Sequence, residues 1–299
     1  MIKLFQQRDF GNKINVTFQY VGQNFRTLGM ALLYIVGPMA LIAGIASGIM
    51  QSNMLRLAGR ANDSSNDPMA VLQLMTQFFS PAFWLTLFFS LLANVAVILT
   101  TYGHMKVYAR ASETGTTDSI SVSDIWAEVQ PAIGRAIIIS ILSSILTAVA
   151  CLFFIIPGIY VAVVLSLSLA VTMFEGTDFG PTFERCFKLI RDKWWSTFGL
   201  IVVMGIIVGL VGLIFAIPSG IIGFLIGGKL LPDVPTVWLM LGNVIALVGR
   251  TLLNAVLYTA IGFQYTNLVE RQEGRGMISA IDSIGTNPAH PRASDEGSF

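Results

Sequence analysis

Apolar residues run along this chain in long blocks, not in short alternating stretches. Six blocks are long enough to cross a bilayer, whose core of about 30 Å needs roughly 20 helical residues. They cover about 29–50, 82–102, 136–156, 158–174, 196–217 and 238–263. A further apolar block at 219–231 is too short to cross and reads as an interfacial or re-entrant piece of a loop. The third and fourth blocks are nearly continuous. Pro157-Gly158 is the predicted break between them, since proline cannot continue a helix and glycine accepts the turn. Pro38, after Gly37, is predicted to kink the first block.

A second pattern precedes the first, third and fifth blocks. Apolar positions recur there at spacings of 4-3-4: Ile14, Phe18, Val21 and Phe25; Val122, Trp126, Val129 and Ile133; Phe183, Phe187, Ile190 and Trp194. That is the stripe of an amphipathic helix. Charged residues fill the faces between, as with Glu184, Arg185, Lys188 and Arg191. Ser121 with Asp124 has the spacing of a capping box, and Pro181 suits a first helical turn. Basic polar faces opposite aromatic apolar ones describe helices lying in the membrane interface, anchored by Phe18, Phe25, Trp126, Phe183, Phe187 and Trp194. Flanking sequences echo one another, as Thr27-Leu28-Gly29 does Thr197-Phe198-Gly199. The predicted fold class is therefore an all-α integral membrane protein. Six transmembrane helices and three interfacial helices would form a three-unit pseudo-repeat.

Composition agrees. Of 299 residues, 54% are hydrophobic and 12% charged, against about 25% charged in soluble domains. The net charge of +1 gives no field for nucleic acid. Basic residues sort by side. Lys3, Arg8, Lys13, Arg26, Lys106, Arg110, Arg135, Arg185, Lys188, Arg191, Lys193, Arg271, Arg275 and Arg292 fall on the side of the termini. Only Arg56, Arg60 and Lys229 fall opposite. The positive-inside rule then places both termini in the cytoplasm of a bacterial inner membrane. No signal peptide is expected, because the apolar run begins only near residue 29. Residues 1–28 form a cytoplasmic amphipathic segment, 29–285 the transmembrane domain, and 286–299 a disordered tail. The outer loop at about 51–80 has a flexible middle at 61–68. A short amphipathic helix with Val71, Leu74, Met75 and Phe78 is predicted after it.

Several motifs together resemble a known family. They are Pro157-Gly-Ile-Tyr160, Phe174-Glu-Gly176, the run Thr182-Phe-Glu-Arg-Cys-Phe-Lys-Leu-Ile190, Trp194-Trp195, Tyr265-Thr-Asn-Leu-Val-Glu270 and Glu273-Gly274. The chain is similar to a widespread bacterial inner-membrane family related to the membrane domain fused to some glycerophosphoryl diester phosphodiesterases. No segment outside the membrane is long enough for the phosphodiesterase domain. The resemblance thus implies a stand-alone membrane module without that activity.

Candidate chemistry is sparse. Arg250 lies near the middle of the sixth block, where arginine costs about 2.5–3.5 kcal/mol on insertion scales. It is expected to face the bundle interior. Asn243, Asn254, Tyr258 and Tyr265 share its helical face. Asn94 is the best partner on another span, and Glu175 the nearest carboxylate. The stripe is either an anion site, since guanidinium pairs bidentately with phosphate, or an Arg–Asn network joining helices. Gly205 and Gly209 form a GxxxG in the fifth block, suited to dimerisation or, preferred here, to internal packing. Cys151 and Cys186 lack a nearby histidine, and no motif marks a catalytic or metal site. A Glu175/Asp178/His104 grouping rests on topology alone. No cofactor is expected. Membrane lipids and other membrane proteins are the expected partners. The function predicted is a non-enzymatic lipid-interacting or complex-assisting module. A small transporter or channel centred on Arg250 is the alternative.

Overall fold

The computed structural model describes residues 2–63, 72, 75–115, 120–228, 230, 236–274, 276 and 278. The predicted tail, the 61–68 turn beyond Asp63, and Val71 and Leu74 lie outside them. Among the described residues the fold is all-helical. The helices are α1 (Phe10–Gln23), α2 (Phe25–Ile35), α3 (Gly37–Asp63), α4 (Pro81–Thr114), α5 (Val122–Val129), α6 (Ile133–Phe153), α7 (Ile155–Leu165), α8 (Ser168–Glu175), α9 (Phe179–Ile190), α10 (Trp194–Gly227) and α11 (Thr236–Glu273). Five stretches are long and apolar enough to cross a membrane, or six if α2 and α3 count as one broken span.

The local punctuation explains most boundaries. α2 and α3 meet at a 58° bend where Gly37-Pro38 was predicted to kink the first span. Ser80 caps α4, accepting a bond from Phe83 N–H, with Pro81 in the first turn. Ser121 and Asp124 form the predicted capping box at the start of α5, each side chain holding the other's backbone N–H.

Three expectations change. The break between the third and fourth spans is at Phe154, whose backbone is extended, and not at Pro157-Gly158. Pro157 sits in the first turn of α7, where its missing N–H costs nothing. Gly158 serves packing: a Cβ there would lie 2.7 Å from Cys151 Cα, so α6 and α7 touch backbone to backbone. Second, α10 runs unbroken through Pro218 to Gly227, absorbing 219–227 of the segment read as a loop piece. α11 lies hard against that region, since a Cβ on Gly242 would come within 3.0 Å of Ser219 Cα. Third, α5 joins α6 through a 3-10 turn at Gln130–Ala132, and Val122–Phe153 forms one apolar rod of 32 residues. The middle amphipathic helix therefore leads straight into its span.

α11 is the central element, packing against α1, α2, α3, α4, α8, α9 and α10. The core is densest near the C-terminal halves of α4 and α11, where Tyr20, Leu99, Tyr102, Met105, Phe263 and Tyr265 are fully buried. The three amphipathic helices gather at this end. Lys13 of α1 meets Gln264, Val129 of α5 meets Gly103, and Arg185 of α9 meets Glu273.

Candidate functional site

The predicted intramembrane stripe does not form one cluster. Arg250 is exposed on α11, and its stem passes Gly212 of α10, whose Cβ would sit 3.6 Å from Arg250 Cγ. Glycine there leaves room for the long side chain to leave the bundle. Among the described residues, no hydrogen bond or ion pair joins Arg250 to the others predicted. Asn243 Nδ2 instead donates to Gln51 Oε1 on α3 and to Leu239 O. Asn254 is half-buried and joins none of these pairs. Asn94, expected beside Arg250, meets Tyr258 instead: Asn94 Nδ2 lies 3.0 Å from Tyr258 Oη, and Tyr258 Oη lies 3.2 Å from Asn94 Oδ1. The stripe on α11 runs past α3, open surface and α4 in turn, so its members find different neighbours.

Glu175 belongs to a different cluster. Arg185 Nε donates to both of its oxygens at 3.0 and 3.1 Å, and Tyr265 Oη donates to Oε1 at 2.8 Å. Arg185 Nη2 also pairs with Glu273. One guanidinium thus ties α8, α9 and α11. Burial alone would lower its pKa, but the bonds from Glu273 and Glu175 outweigh that and hold it above its ordinary value. His104 does not join Glu175. Its Nδ1 lies 2.6 Å from Tyr20 Oη and its Nε2 3.0 Å from Thr27 Oγ1. Among the described residues, no three of His, Cys, Asp and Glu converge as metal ligands. Cys186 is fully buried, and burial pushes its thiol up to about 12.

Sequence reasoning missed Lys13. It is buried on α1, donating to Gln264 Oε1 at 2.7 Å and Ser196 Oγ at 3.1 Å. Gln264 Nε2 in turn donates to Thr197 Oγ1 at 2.7 Å. Burial, then Arg271 and Lys193, lowers the amine to about 8, with Asp9 opposing. The unfolded chain therefore binds more protons between about 8 and 10.5, so stability rises with pH across that window. Melting temperature in detergent is expected to rise from pH 7.5 to 9.5 more steeply than in Lys13→Met. Parallel curves for the two proteins would refute the assignment.

The aromatic positions of the three stripes differ in exposure. α1 buries Lys13, Val16, Thr17 and Tyr20, while Phe18 and Phe25 point outward. Trp126 is exposed, and Phe183, Phe187 and Trp194 are half-buried. Val129 of the second stripe and Ile190 of the third are buried in the core, while Phe18 of the first faces out. On α9 the rings of Phe183 and Phe187 lie 4.8 Å apart, and Phe187 reaches Tyr160 of α7.

α9 runs beside α7 and α8, and this carries the basic turn at its end toward the α6–α7 hairpin. A pocket of about 860 Å³ results. Ile156, Ile159 and Tyr160 form one wall, and Arg191, Asp192, Lys193, Trp194, Trp195 and Ser196 the other, so two cations face one carboxylate there. Trp194 stacks on Phe198 and on Tyr160, and its Nε1 donates to Tyr160 O at 3.3 Å. Beside the pocket, Leu152 to Ile156 form a strongly exposed apolar tip. Sequence topology put that tip on the face opposite the basic loops; the structure has it share a pocket with Arg191 and Lys193. A second cleft, about 530 Å³ and almost wholly apolar, lies between α2, α10 and α11 with Arg26 among its lining residues.

No curated protein and no solved structure matches the chain. One family model matches, over residues 27–268, and its description is a domain of unknown function, DUF7847.

Proposed function

The chain belongs to the DUF7847 family, and we propose that it is a non-enzymatic multi-pass membrane module that binds anionic phospholipid. The observation that carries this reading is the pocket between α7 and the start of α10. Arg191 and Lys193 offer cations to a phosphate, Trp194, Trp195 and Tyr160 suit the headgroup region, and the apolar tip at 152–156 suits acyl chains. The exposed Phe18, Phe25 and Trp126 extend the same chemistry around the molecule. In this reading the bundle lies in a bacterial inner membrane with both termini cytoplasmic, and the α6–α7 tip, sharing a pocket with Arg191 and Lys193, lies on that same side. The three amphipathic helices mark three related units, and the module is kin to the membrane domain of glycerophosphoryl diester phosphodiesterases. Bound lipid would let it assist a neighbouring complex. The exposed position of Arg250 lends no support to a carrier with an anion site there.

Native mass spectrometry after mild detergent extraction tests this. Phosphatidylglycerol is expected to be retained over phosphatidylcholine. Each basic residue near an anionic surface contributes about 1 kcal/mol, so Arg191→Ala with Lys193→Ala should weaken retention about thirtyfold. Equal retention of both lipids, or an unchanged double variant, would remove the proposal.

A further inference from the structure

A third cavity, about 210 Å³, lies between α4, α6, α11 and the junction of α7 with α8. Its polar lining is neutral throughout: Asn94, Ser140, Ser143, Ser144, Ser168 and Tyr258. Ser143 is 9% exposed, and its Oγ is buried with no hydrogen-bond partner among the described residues. Ser140 Oγ is likewise buried and unpartnered. Hydroxyls inside a helix bundle ordinarily bond to a carbonyl of their own helix, as Thr101 does to Val97 O and Ser166 to Val163 O. Two that do not, on one turn of α6 and both lining one cavity, are donors and acceptors held in reserve for something else.

The backbone points the same way. The fourth span is interrupted at Ser166–Leu167, where Leu167 N–H reaches back only to Val164 O at 3.4 Å. Irregular backbone within a span is tolerated where it lines a cavity or is buried in protein. Asn94 and Tyr258 fix each other across the cavity and retain spare bonding capacity.

The same features select the ligand. No charged side chain lines the cavity, so an ionised group would be buried without a counter-charge. The volume equals about seven waters, enough for a glycerol-sized polyol. Leu91 and Ser144 at its edge are exposed, so it opens sideways onto the apolar surface. We propose that this cavity binds a neutral glycerol-type hydroxyl group, supplied by a diacylglycerol lipid or by a free polyol. The site is separate from the cationic pocket, and its test is independent of that reading.

The full-length protein in phosphatidylcholine nanodiscs is labelled with a photoreactive dioleoylglycerol analogue. Label is expected on peptides from 133–153. It should fall about tenfold in Ser140→Ala with Ser143→Ala, and also in Asn94→Ala. Removing unpartnered hydroxyls should leave the melting temperature of the serine double variant unchanged or higher, which separates lost binding from lost folding. Competition by unlabelled dioleoylglycerol alone identifies the lipid source; competition by millimolar glycerol as well identifies the free polyol. The proposal is overturned if labelling is indifferent to the serine variants. It is equally overturned if a dioleoylglycerol methyl ether, lacking the hydroxyl, competes as well as the alcohol.

Discussion

Arg185→Ala is expected to destabilise the protein by about 3 kcal/mol, the low end of the cost of breaking a buried pair. The guanidinium has 16% of its side-chain surface exposed and neutralises two carboxylates. Removing it takes from Glu175, itself 14% exposed, the guanidinium that holds both its oxygens, and from Glu273 its bond to Arg185. Solvent reaches the cluster enough to soften the penalty but not to abolish it. Tyr265 would keep its bond to Glu175, yet a phenol offers one hydrogen where the guanidinium offered several. Arg185→Lys should recover only part of the loss, since an ammonium cannot hold both oxygens of Glu175 in a planar fork. Combining Arg185→Ala with Glu175→Gln should recover most of it, because the buried carboxylate charge that Arg185 balanced disappears. For a chain of this size the single variant corresponds to a fall of roughly 6–12 °C, read by tryptophan fluorescence in detergent. A change under 2 °C would show that the cluster is solvated and structurally idle.

That cluster shows what was legible beforehand. Phe174-Glu-Gly176, Arg185, Tyr265 and Glu273 all stood out as motif residues, but each was tied to its own helix end. Nothing in local periodicity pairs residues 88 positions apart, as Arg185 and Glu273 are. Some signals that act through the backbone read well: the Gly37-Pro38 bend and the Ser121 cap stand where they were expected, whereas Pro157-Gly158 missed the break at Phe154. Signals that act through hydropathy read less well. The apolar stripe of α1 is real, but its inward face is polar, built on Lys13, Thr17, Tyr20 and Asn24. A moment computed from hydrophobicity cannot find a face that is buried through hydrogen bonds. Arg250 failed for a related reason: intramembrane cost says that a partner or an exit is needed, and Gly212 provides the exit.

The glycine pairs give the sharpest test of what spacing alone conveys. Gly205 and Gly209 drew attention as a GxxxG, yet a Cβ at either would meet nothing within 4 Å. Gly44 and Gly48 have the same spacing in α3, and there α11 closes on the glycines themselves. A Cβ on Gly44 would lie 2.9 Å from Val244 Cα, and one on Gly48 2.7 Å from Met240 Cα. Backbone atoms in a packed helix cannot step aside as a flexible side chain can. The α3–α11 pair would have to separate, loosening the neighbouring Asn243–Gln51 bond as well. Gly44→Val with Gly48→Val is therefore expected to cost more than the usual 1–3 kcal/mol of a single overpacked site, at about 4 kcal/mol for the two together. In practice this means little monodisperse protein by size-exclusion chromatography. Gly205→Val with Gly209→Val should stay within about 0.5 kcal/mol of the parent, the range of surface substitutions. The reverse order of damage would mean that the contact between α3 and α11 is not what holds the first span in place.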